Sequence, residues 1–171
     1  MHPKLTENKV EITIKQLENA GHALVLMPFD KRLPNVPGDE LLRAVLKRRD
    51  LKVEALAKTP LAVELPGGAL AVYAMLKSDA SVFETHEHLR KATAMLLGEH
   101  PKTLSIAVFG SAAAKTKAAE AALYVTLVNA APLPNRKSKT EAGLKSIALY
   151  GMKSLDGFAQ VRAVAEGNVL T

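Results

Sequence analysis

Two short, uninterrupted apolar runs set the strongest limit on what this chain can fold into. They are "ALVLM" (Ala23 to Met27) and "TLSIAVF" (Thr103 to Phe109). A strand with one wet face alternates polar and apolar residues, whereas a strand covered on both faces is apolar throughout. Two such runs, separated by stretches of helical periodicity, call for a sheet buried between two helical layers. They are also far too short to cross a bilayer, which takes ~18 or more apolar residues. The strongest uncharged apolar segment ends at Phe29.

The segments between them fit this reading. "GDELLRAVLKRR" carries Leu41, Leu42, Val45 and Leu46 at helical spacing, with Asp39 and Glu40 at its start and Lys47, Arg48 and Arg49 at its end. That charge order complements a helix dipole. "LAVEL" and "ALAVYAML" flank Pro66-Gly67-Gly68 and predict a hairpin. Ser81 with Glu84 predicts a capping box opening a helix that Gly98 closes. An Ala-rich helix is expected from Ala112 to Asn129, then a polar loop "PLPNRKSKTEAG", a strand in "LKSIALYG", and a final helix opened by Ser154 or Asp156. Near the N-terminus, Val10, Ile12 and Ile14 alternate with polar residues, which predicts a half-exposed strand. The expected fold class is therefore α/β: three layers, α/β/α, around a mixed, mostly parallel sheet.

At 171 residues, the chain is expected to hold one such domain over residues 1–153. It has no cysteine, and "MHPKLTENKVEITIK" has no apolar signal region, so a cytoplasmic location is expected. The net charge of +6 permits nucleic acid as a partner but mainly favours solubility.

Motifs that carry chemistry are scarce. "SIAVFGSAAAKTKAAE" runs from a strand into a Lys-Thr pair, as a phosphate-binding P-loop does, but Ala114 stands where the glycine before the lysine belongs. "THEHLRK" is not H-E-x-x-H. On a helix His86 and His88 point about 200° apart, so both are expected to be solvated polar residues. No catalytic, cofactor or metal residue is assigned. Two basic groups are candidate phosphate-backbone contacts: Lys47, Arg48, Arg49 and Lys52, and Arg136, Lys137 and Lys139 with Lys145.

The C-terminal segment "RAVAEGNVLT" resembles the A-x-A-E-G-x-N-L-A-R helix of the leucyl aminopeptidase (cytosol aminopeptidase) family. Ala165, Glu166, Gly167 and Leu170 match in register, while Asn168 and Val169 read as the usual order exchanged. "HALVLMPFDKRL" is similar to that family's early "DALVV" strand, "LLRAVLKRRDLK" to its helix ending in "RGDFKGK"-like residues, and "LKSIALYG" to the strand before its linking helix. Tyr73-Ala74-Met75-Leu76 departs from the family's "VGLG"-like turn. The resemblance implies a macro-domain-like N-terminal domain, with residues 154–171 beginning the helix that leads to a catalytic domain. It further implies a cytosolic, hexameric parent enzyme that releases N-terminal residues from peptides. The family's two divalent metal ions, manganese or zinc, are held in motifs like "VGKGVTFDSGG" and "NTDAEGRL", neither of which occurs here. The implied role is a non-catalytic domain whose partners are its catalytic domain and the other subunits of a homo-hexamer. DNA binding, seen in some bacterial members, and ADP-ribose binding, by likeness to macro domains, are the alternatives. An ADP-ribose site would use Met27 to Asp30 and Gly110 to Ala114.

Overall fold

A computed structural model describes residues 3–131 and 143–170. Among these described residues six strands form one sheet: β1 (Lys4–Asn8), β2 (His22–Pro28), β3 (Leu61–Glu64), β4 (Leu70–Leu76), β5 (Thr103–Val108) and β6 (Ser146–Tyr150). Their order across the sheet is β1-β6-β5-β2-β4-β3. All neighbours run parallel except β3 and β4, which form the expected antiparallel hairpin around Pro66–Gly68. The two apolar runs lie side by side at the centre, with Leu24 opposite Ile106 on one flank and Val72 on the other.

Five helices among the described residues cover the sheet: α1 (Ile14–Asn19), α2 (Asp39–Arg48), α3 (Val82–Leu97), α4 (Ala112–Ala130) and α5 (Ala159–Leu170). Alternation along β2 divides the core. Leu24 and Leu26 pack with the apolar faces of α3, α4 and α5, together with Ile106 and Val108 of β5. Ala23, Val25 and Met27 pack with Leu17 of α1, Leu42 and Leu46 of α2, and Leu56 of the 3-10 turn Val53–Ala57. The three-layer arrangement therefore follows directly from runs that are apolar on both faces.

Two local expectations are corrected. The first strand is Lys4–Asn8, and Val10 to Ile14 is not a strand. Thr13 caps α1 instead: its hydroxyl accepts from the Gln16 N–H while the Gln16 side chain accepts from the Thr13 N–H. This closed pair of hydrogen bonds rewards a helix start, and only Ile12 of the alternating trio is buried, with Val10 75% exposed. Gly98 ends α3 as expected, with right-handed backbone (φ −61), and a left-handed residue comes later, at His100. The second correction concerns His88, which is buried rather than solvated.

The remaining expectations concern helix starts and the polar loop. Ser81 accepts from the Glu84 N–H, one half of the expected capping box, and among the described residues no return bond from the Glu84 side chain to the Ser81 N–H completes it. Ser154 and Asp156 both accept from the Phe158 N–H, one residue before α5 starts. The expected polar loop, apart from Gly143, lies outside the described residues.

Candidate functional site

In a sheet of this kind, ligands bind beyond the carboxyl ends of the strands, where the chain leaves neighbouring strands toward opposite layers. After β2 the chain passes to α2 in one layer, whereas after β4 and β5 it passes to α3 and α4 in the other. The switch point therefore lies at Pro28-Phe29 and Phe109-Gly110.

The geometry there is closed. The Phe109 N–H donates to the Leu26 carbonyl at 3.1 Å, and Phe29 N–H to the Leu76 carbonyl at 2.9 Å. Gly110 has φ +117, and a Cβ on it would lie 2.8 Å from Pro28 Cγ and 3.4 Å from Ala114 Cβ. Glycine is needed here so that Pro28 can pack against the backbone. The loops proposed from the sequence as pyrophosphate cradles thus touch one another.

The P-loop-like Lys-Thr pair is also committed to structure. Lys115 Nζ pairs with Glu11 at 3.2 Å, Thr116 Oγ1 donates to the Ala112 carbonyl at 3.0 Å, and Ser111 Oγ accepts from the Ala114 N–H.

Open space lies beside this junction. A cleft of about 470 Å³ is lined by Phe29, Leu76, Lys77, Asp79, Thr85 and Lys117, among others. Lys117 Nζ donates to the Ser78 carbonyl at 3.2 Å, and Lys77 Nζ stands 5.2 Å from the centroid of the Phe29 ring. Among the described residues neither ammonium group has a carboxylate within ion-pair distance. The cleft was not legible in sequence, because Phe29 follows β2, Lys77 follows β4 and Lys117 lies in α4, three segments far apart in the chain.

A second cleft, of about 510 Å³, opens between the Val53–Ala57 turn and α3, with His88 in its lining. The imidazole Nε2 donates to the Leu56 carbonyl at 2.9 Å. Burial holds the His88 pKa below its ordinary value, with the charge of Lys91 adding to the effect, while the Leu56 and Met75 carbonyls oppose it. His86 instead stacks on Tyr124 of α4, with ring centroids 5.0 Å apart. The two histidines therefore serve different contacts on different sides of α3.

Among the described residues, no three His, Asp or Glu side chains come together in a way that could hold a metal ion. Of the basic candidates, Lys47, Arg48 and Arg49 are exposed at the end of α2, and Lys52 is exposed just before the 3-10 turn. Arg136, Lys137 and Lys139 lie outside the described residues. No described helix is long and apolar enough to cross a membrane.

No family model matches this sequence, and no curated protein sequence matches it. Solved structures do match. A mutant of tomato leucine aminopeptidase superposes on 99% of this chain and 37% of its own, with a TM-score of 0.60 and 16% identity. The fold is that of one part of a leucine aminopeptidase. The bottromycin maturation enzyme BotP, solved in complex with Mn, matches 88% of this chain and 31% of its own, with a TM-score of 0.51 and 17% identity. This chain thus spans about a third of the length of either protein. At such identities the likeness is one of fold.

Proposed function

We propose that this chain is the non-catalytic N-terminal domain of a metal-dependent leucyl aminopeptidase, serving assembly and access to an active site carried elsewhere. The observation that carries this reading is the coverage: nearly the whole chain corresponds to about a third of an aminopeptidase. The C-terminal "AEG" segment supports it. Gly167 lies inside α5, which runs on through Asn168 to Leu170, so this glycine continues a helix instead of capping one. Ala165 packs that helix into the core against the α4 layer. In the proposed parent enzyme, manganese or zinc ions would be bound by the catalytic domain, and the domain described here would contact it and neighbouring subunits of a cytoplasmic hexamer.

The purified chain, assayed with leucine p-nitroanilide and Mn²⁺ or Zn²⁺, is expected to show no turnover. Metal-dependent release of p-nitroaniline would overturn the reading.

One observation favours a second reading. Lys47, Arg48, Arg49 and Lys52 form an exposed cationic group that fits a phosphate backbone. Under that reading, duplex DNA binds at low salt, weakens as salt rises, and weakens further when Arg48 and Arg49 are both changed to Glu. Absence of binding at low salt would exclude it.

A further inference from the structure

The cleft beside the switch point presents a physical anomaly. Its walls include Phe29, Leu76, Phe109 and Ala118, which are apolar, yet two lysines, Lys77 and Lys117, belong to the same lining. Among the described residues the only acidic one in the lining is Asp79, and it pairs with neither lysine. Lys117 uses one donor on the Ser78 carbonyl, so two of its three N–H groups remain. Lys77 Nζ stands 5.2 Å from the centroid of the Phe29 ring, with no carboxylate within ion-pair distance among the described residues. Phe29 itself stays 39% exposed, as large an exposure as Leu41 shows on the outside of α2.

We propose that this cleft binds a small organic anion with an aromatic or aliphatic body, its head group between Lys77 and Lys117 and its body against Phe29 and Leu76. The volume, about 470 Å³, falls in the range of small-molecule sites and holds a ligand of one ring with its substituents. A dinucleotide-like ligand is a poorer match, because its pyrophosphate would need the backbone that Pro28 and Gly110 close off. Carboxylate and phosphate make the same demand on two ammonium groups, so the ligand class is the amphiphilic anion and the head group is decided by comparison. This site is independent of the aminopeptidase reading.

The test is an NMR titration of the full chain with phenyl phosphate and N-acetylphenylalanine, with phenylalaninamide and inorganic phosphate as controls. Both aryl anions are expected to shift the amides of residues 29, 77–79 and 114–118, with dissociation constants of ~1 mM or below. The tighter of the two identifies the head group. Inorganic phosphate should bind at least about tenfold more weakly, and cationic phenylalaninamide not at all at the same concentrations. Lys77→Ala and Lys117→Ala should each weaken the aryl anions about tenfold, the loss expected for one charge-assisted hydrogen bond. Both lysines are exposed, so unchanged circular dichroism spectra and melting temperatures would confirm intact folding. Equal binding of phenylalaninamide, no effect of either lysine substitution, or shifts confined to other surfaces would each overturn the assignment.

Discussion

His88 offers the sharpest quantitative test of the packing described above. Its Nε2 is the donor on the Leu56 carbonyl, at 2.9 Å, and the residue is only 9% exposed. The folded-state pKa lies below the ordinary value of 6.5, chiefly because burial disfavours the charged ring. Below pH 6.5 the unfolded chain therefore binds a proton that the folded chain resists. The neutral imidazole's contribution to stability is fully present above 6.5 and falls as the pH drops below it. The limiting slope for one such group is about 1.4 kcal/mol per pH unit.

His88→Gln keeps an N–H donor near the same place without a titrating charge, and His88→Leu leaves the carbonyl unpaired, at a cost of about 1–3 kcal/mol. The chain has no tryptophan, so urea unfolding is best followed by circular dichroism, at half-unit steps from pH 8 to pH 5. The difference in unfolding free energy between wild type and His88→Gln should be constant above pH 7 and shrink steadily below 6.5. A difference that stays flat, or grows in favour of wild type with acid, would refute the reasoning.

Three further outcomes follow from single positions. Thr126 Oγ1, fully buried in α4, has no hydrogen-bond partner among the described residues, so Thr126→Val should raise stability by about 1 kcal/mol in denaturant titrations. Gly110→Ala puts a methyl group 2.8 Å from Pro28 Cγ at φ +117 and should cost about 1–3 kcal/mol; a neutral effect would mean that the switch-point junction is looser than described. Gly167 sits in a helix with nothing among the described residues within 4 Å of an added Cβ, and Gly167→Ala should stabilise by up to about 1 kcal/mol, read as a rise in melting temperature. A loss of stability there would argue against a continuous α5.

Much of the architecture was legible because each signal was local. "ALVLM" and "TLSIAVF" had to be covered on both faces, Pro66-Gly67-Gly68 had to turn, and Asp39 to Arg49 had both periodicity and charge order. The first strand was misread for a reason that is also local: Val10, Ile12 and Ile14 do alternate, but the Thr13–Gln16 capping pair outcompetes extension, and a six-residue helix offers too little periodicity to announce itself. His88 was misjudged because helical spacing alone cannot say which polar residue meets a neighbouring carbonyl. The partner, Leu56, is 32 residues away.

The sequence by itself determined a layered α/β domain, since runs apolar on both faces have no other stable place than the middle of a covered sheet. It also withheld any metal-binding or nucleophilic motif. What only the tertiary structure decided is which connections meet. Strand order brought Pro28 against Gly110 and closed the switch point. The same order set Phe29, Lys77 and Lys117, from three distant segments, around one open cleft. Pattern fixes the face on which a side chain stands, because the periods of helix and strand are local. The neighbours it meets there depend on long-range pairing, which no local period encodes.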